Sequence, residues 1–155
     1  MSSTKTREHG FTFIELMLVI VILGVLASLL TGNFITSLKK GRDARRKTDL
    51  ENIQKAIELF YEDKREYPTF SLPFGDQLCE TNPCNGSRVY MQKVPSDPTA
   101  GNSYLYESDG TYYRIYSCLE NDQDAAAGVN QSGYTGTSCG TCGVCKYKVT
   151  SSNTQ

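Results

Sequence analysis

The chain has 155 residues and a formal net charge of −1. That length holds one modest domain plus an anchor, and the near-neutral balance carries no overall signature of nucleic-acid binding. The single histidine is His9, and there is neither a phosphate-cradling glycine loop nor a nucleophile elbow, so no catalytic constellation or small-molecule substrate site is read and the expectation is a protein that is not an enzyme.

Residues 1–10 are polar and include Lys5, Arg7, Glu8 and His9. Residues 11–30 form an apolar run of about 20 residues, roughly 30 Å as a helix and enough to cross a bilayer core. Glu15 interrupts it; a carboxylate there costs about 2–3 kcal/mol on insertion scales and marks a functional position awaiting a partner, unless it merely reaches the headgroups. A secretory signal competes with this reading, since Val25-Leu26-Ala27 is a passable cleavage site, but the apolar run is long, carries Glu15 early and does not stop at Ala27.

The segment Gly10-Phe11-Thr12-Phe13-Ile14-Glu15, after a basic leader and before an apolar helix, resembles the N-terminal signal of type IV prepilins and type II secretion pseudopilins. The resemblance implies that a membrane prepilin peptidase cuts between Gly10 and Phe11 and that the new Phe11 amine is methylated. It also implies that Glu15 pairs with the Phe11 amine of a neighbouring subunit. Opposite charges in an apolar interior offset each other's desolvation only when paired. Gly10 suits the cut because a backbone without a side chain can enter a protease site closely.

The helix is predicted to continue through residues 31–67, with Leu50, Ile53, Ile57, Phe60 and Tyr61 at helical spacing. Lys47, Asp49, Glu51, Lys55, Glu58, Glu62 and Lys64 are expected to face water or neighbouring subunits, and Tyr67-Pro68 to end the helix. A bend is expected at Gly32, where the family usually has Pro. Lys39, Lys40, Arg42, Arg45, Arg46 and Lys47 follow the apolar run with only Asp43 among them. By the positive-inside rule they place the C-terminal part in the cytoplasm; the prepilin motif and the cysteines argue for export instead. That basic stretch is expected to be a solvated helix face, or to meet acidic faces of adjacent subunits, lipid headgroups or nucleic acid.

Residues 68–155 form a Cys-rich globular part in which residues 68–100 read as loop. Two aromatic, alternating runs around Asp109-Gly110 predict a hairpin with a tight turn over residues 103–117, and Cys145, Tyr147 and Val149 share one face of a third strand. Residues 125–137 are small and polar and read as mobile, and residues 151–155 as a disordered tail. The six cysteines, Cys79, Cys84, Cys118, Cys139, Cys142 and Cys145, suit a disulfide framework in an exported domain, with Cys79–Cys84 able to close a small loop. Cys139, Cys142 and Cys145 also have the spacing of zinc or iron–sulfur ligands. The fold expected is α+β: a long N-terminal helix on a small antiparallel sheet, pilin-like and disulfide-rich.

This half also resembles the family, in Tyr67-Pro68-Thr69 at the helix end and in Val94-Pro95-Ser96-Asp97-Pro98 leading to Tyr104 and Tyr106. It departs at Thr99, where major pseudopilins usually have Trp, so a type IV pilus subunit serving adhesion, motility or DNA uptake is favoured, with a secretion pseudopilin as the alternative. The family's acidic C-terminal loop can bind calcium, and Glu120, Asp122 and Asp124 are the nearest candidates, with a solvated acidic turn as the rival; no cofactor is otherwise required. The partners implied are identical or related pilin subunits, the prepilin peptidase, an inner-membrane assembly platform, and lipid before assembly. The precursor would lie in the inner membrane with its C-terminal domain outside, and the product in an extracellular or periplasmic filament. A monomeric membrane-anchored metal or redox domain using Cys139, Cys142 and Cys145 is the rival of a different class.

Overall fold

The computed structural model describes residues 10–152, except for the side chains of residues 30–33. The leader residues 1–9 and the last three residues lie outside the described residues, as does the side-chain environment of Gly32, where the sequence places a bend. The chain divides into two compact units, one ending at Leu38 and the other beginning at Lys39.

A single helix, α1, runs Phe13–Lys64. Its start is written locally. The Glu15 amide donates to Thr12 Oγ1 (3.3 Å), and Glu15 Oε2 accepts the Thr12 amide (2.7 Å), a reciprocal capping box spaced Thr-x-x-Glu. Its end comes earlier than Pro68 suggested. Arg65 takes a left-handed conformation (φ 59°) and donates its amide to the Tyr61 carbonyl at 2.8 Å. The reason is Tyr67, which is buried: its ring stacks on Tyr61 (4.5 Å) and meets Tyr113 edge-on (4.7 Å), while its hydroxyl donates to Glu58 at 3.1 Å. The chain must leave the helix first to deliver that ring extended before Pro68.

Five short strands follow: β1 Leu78–Cys79, β2 Val89–Met91, β3 Leu105–Ser108, β4 Tyr113–Ser117 and β5 Tyr147–Thr150. β3, β4 and β5 form the expected three-stranded antiparallel sheet in that order. β1 and β2 form a second, two-stranded ribbon inside the stretch expected to be all loop. Ser108 pairs with Tyr113, so the hairpin turn spans residues 109–112. Asp109 Oδ1 closes it by accepting the amides of Thr111 (2.8 Å) and Tyr112 (3.0 Å), and Gly110 supplies the positive φ of 91°.

The sheet is covered on both faces. Leu50, Ile53, Ala56 and Ile57 of α1 pack with Tyr113 and Ile115 of β4 and with Tyr147 of β5. On the opposite face Tyr116 packs with Cys118, Cys139 and Cys145. The expected mobile stretch instead runs beside β5. The carbonyl of Gly128 accepts the Lys148 amide (2.9 Å) and the Tyr134 hydroxyl (2.9 Å), and the Tyr134 amide donates to Cys145 (2.9 Å). Ser151, expected in a disordered tail, is buried and donates its amide to Tyr113 at 3.2 Å.

Candidate assembly site

Gly10 is exposed, with open space where a Cβ would stand, and Phe11 is 91 % exposed, so among the described residues nothing covers the Gly10–Phe11 peptide. Five positions after Gly10, the Glu15 carboxylate is held, among the described residues, by Thr12, through the amide and through Thr12 Oγ1 at 2.8 Å. Beyond it the apolar side chains from Phe13 to Leu29 project into solvent; Ile20, for example, is 58 % exposed. An exposed apolar surface of that extent marks an interaction surface. By length and composition no single helix among the described residues qualifies as a membrane span; Phe13–Leu29 and Phe34–Lys64 qualify together.

In the second unit the basic stretch is divided: Lys39, Lys40 and Arg45 stay exposed, as a solvated face would, while Arg46 turns inward. Arg46 is 0 % exposed, and all five of its N–H donors are used. Nε donates to Asp97 (2.8 Å), Nη1 to Asp43 (2.8 Å) and Glu120 (2.9 Å), and Nη2 to Asp97 (3.0 Å) and Thr99 Oγ1 (2.9 Å). Burial opposes the guanidinium's charge, but these bonds outweigh it and raise its pKa. Asp43 in turn accepts the amides of Glu120 (3.0 Å) and Asn121 (2.8 Å). Arg42 grips the same Glu120 with Nε and Nη2. The Arg42 hydrogen bonds, resisted by burial and reinforced by Arg46, hold the Glu120 carboxyl down at about 2.

These contacts correct several sequence expectations. Glu120, Asp122 and Asp124 do not converge on one point. Glu120 engages Arg42 and Arg46, Asp122 engages Lys146 (2.9 Å), and Asp124 engages Lys47 (2.6 Å). Lys47 lowers the Asp124 carboxyl, and Lys146 that of Asp122. Lys47, Asp49 and Glu58, expected to face water, are drawn in, since Asp49 accepts the Tyr104 hydroxyl (2.9 Å) and Glu58 that of Tyr113 (3.0 Å). Asp43 and Arg46 were missed, although a signal existed: positions 43, 46, 50, 53, 57 and 60 continue one helical stripe. Their charge concealed their place on the buried face.

The cysteines pair as Cys79–Cys84, Cys118–Cys142 and Cys139–Cys145, leaving none free. A metal site on Cys139, Cys142 and Cys145 is therefore not formed, because each thiol is spent in a disulfide.

Residues 33–133 match the family described as type II secretion system (T2SS), protein G. The chain belongs to that family. Residues 5–31, which span Gly10, Phe11 and Glu15, match the prokaryotic N-terminal methylation motif. Similar proteins include the type II secretion system core protein G of Vibrio cholerae, 33 % identical over 67 % of this chain and 73 % of that protein. That of Aeromonas hydrophila is 31 % identical over 72 % of this chain and 80 % of the relative, and that of Escherichia coli 30 % identical over 79 % and 86 %. No solved structure matches the chain. As a member of the protein G family the chain is a pseudopilin-type structural subunit, the alternative that the sequence had placed second. Thr99 had weighed against it; here that residue is an acceptor for Arg46 and donates its amide to Asp97 at 2.8 Å. The match ends at residue 133, so Cys139, Cys142, Cys145 and β5 lie beyond it.

Proposed function

We propose that the chain is made as a single-pass inner-membrane precursor, is cut between Gly10 and Phe11 by a prepilin peptidase and methylated at Phe11, and then joins a periplasmic pseudopilus of identical or related subunits through α1. An inner-membrane platform would lift it from lipid into the filament. The observation that carries this reading is the accessible Gly10–Phe11 bond set just ahead of Glu15 at the head of an apolar, solvent-exposed helix. In the precursor Glu15 is satisfied by Thr12; after cleavage the Phe11 amine of a neighbouring subunit is the cation that best offsets its burial. The exposed apolar side chains are covered by lipid before assembly and by neighbouring helices after it.

The test is the intact mass of the protein extracted from its own membranes, with and without reduction. A chain starting at methylated Phe11 and gaining about 6 Da on reduction is expected, for three disulfides. A start at Ser28 would mean an ordinary secreted domain, and a start at Met1 or Ser2 a permanent anchor. In Gly10→Val, no shortened protein is expected; its appearance would remove Gly10 as the cleavage residue.

A further inference from the structure

A calcium ion in the acidic loop is what the family resemblance suggests, and the donor chemistry there does not fit one. Calcium takes roughly six to eight oxygens gathered around one point. Here the three carboxylates of residues 120–124 point to three different sets of cations, and no cluster of three or more potential metal-ligating side chains occurs among the described residues. Two backbone oxygens of the loop are taken too. Gln131 Nε2 donates to the carbonyls of Asn121 (3.1 Å) and Asp124 (2.7 Å), so a hydrogen-bond donor stands between them where a cation would need acceptors. Gln131 Oε1 is buried and accepts no hydrogen bond among the described residues, but one oxygen is far short of a coordination shell.

We infer that this chain closes its acidic loop with its own cations, Arg42, Arg46, Lys47 and Lys146, and that the folded domain takes no calcium. The substitution is structural rather than incidental. The guanidinium of Arg46 is buried with every donor used, and Asp43 beside it binds the loop's Glu120 and Asn121 amides, so the helix and the loop are joined from both charges. The Cys118–Cys142 bond, two residues from Glu120, fixes the same loop covalently. Removing calcium should therefore leave the loop closed, while removing a cation of the chain should open it. The inference holds whether or not the protein assembles into a filament.

The experiment is thermal unfolding of the full-length protein in detergent, in about 1 mM EDTA and in about 5 mM calcium or magnesium chloride at matched ionic strength. Equal Tm in all three, within about 1 °C, is expected. A calcium-specific rise of several degrees, as a ligand well above its Kd would produce, would overturn the inference. Arg46→Met should lower Tm by about 10 °C or more, and the partly exposed Arg42→Gln by about 3 °C, each equally in EDTA and calcium. If Arg46→Met does not fold, Arg42→Gln decides: an unchanged Tm would remove the cations from their assigned role.

Discussion

One helix carries two apolar segments of the same residue types with opposite fates. Between Phe13 and Leu29 every large apolar side chain is exposed; between Leu50 and Phe60 the inward stripe is buried against β4 and β5, with Ile53 at 0 %. Burying such a side chain stabilises by about 1.5–3 kcal/mol wherever the cover comes from. The second unit provides its own cover, because a hairpin and a third strand return to the helix. Among the described residues no chain returns to the first unit, and the proposed function assigns its cover to lipid or another subunit. Apolar character therefore creates the demand for burial, and topology decides whether the demand is met within the chain or outside it.

Substitutions can break that contrast. The largest effect is expected at Glu15: Glu15→Val should leave cleavage intact but reduce assembled filament about 100-fold or more, as loss of a buried charge partner would. Filaments at wild-type yield, quantified by shearing and sedimentation, would show that Glu15 has no partner in the assembled state. Next comes a matched pair in one helix. Ile53→Ala should cost about 2–5 kcal/mol in denaturant unfolding of the second unit, whereas Ile20→Ala should change it by under about 0.5 kcal/mol. Similar losses at both positions would mean that the two segments are not covered from different sources.

The disulfides grade the second unit internally. Replacing Cys118 and Cys142 with Ala, a bridge of sequence separation 24, should cost about 3.5 kcal/mol, and replacing Cys79 and Cys84, separation 5, about 2 kcal/mol. The reverse order in urea melts would refute the loop-entropy account.

The smallest effects are read from pH. Glu120 sits at about 2 in the folded chain against an ordinary 4.5. The unfolded chain binds that proton first, so the stability is complete above pH 4.5 and drains as pH falls toward 2. Tyr67 and Tyr106 sit at about 12 against an ordinary 10.0, raised chiefly by burial and, for Tyr67, also by Glu58. There the unfolded chain releases its proton first, and stability is lost as pH rises from 10 to 12. Stability flat across either window, measured by urea midpoints, would place those groups in solvent.

Local periodicity made much of this legible. The hairpin about Asp109-Gly110, the stripe from Leu50 to Phe60 and the shared face of Tyr147 and Val149 each depend on residues a few positions apart, and each was readable. Cys145, expected on that same face, precedes β5 and packs with Tyr116 on the other one. The β1–β2 ribbon was not, because two- and three-residue strands in a Pro- and Gly-rich stretch carry no period. Helix termination was misplaced because the decisive contact, Tyr67 against Tyr113, is distant in sequence.

The sequence by itself determined the processing motif, the apolar run with its lone Glu15, the α+β class and the use of disulfides, since each is encoded in residue type and short spacing. Only the tertiary structure decided which cysteines pair, and that Arg46 of the basic stretch is turned inward. Arg46 meets Asp97 and Glu120 across separations of 51 and 74 residues. Whether a charged side chain is solvated or buried depends on partners that folding alone brings near: without them its desolvation forbids burial, and with all five donors satisfied it can occupy the core.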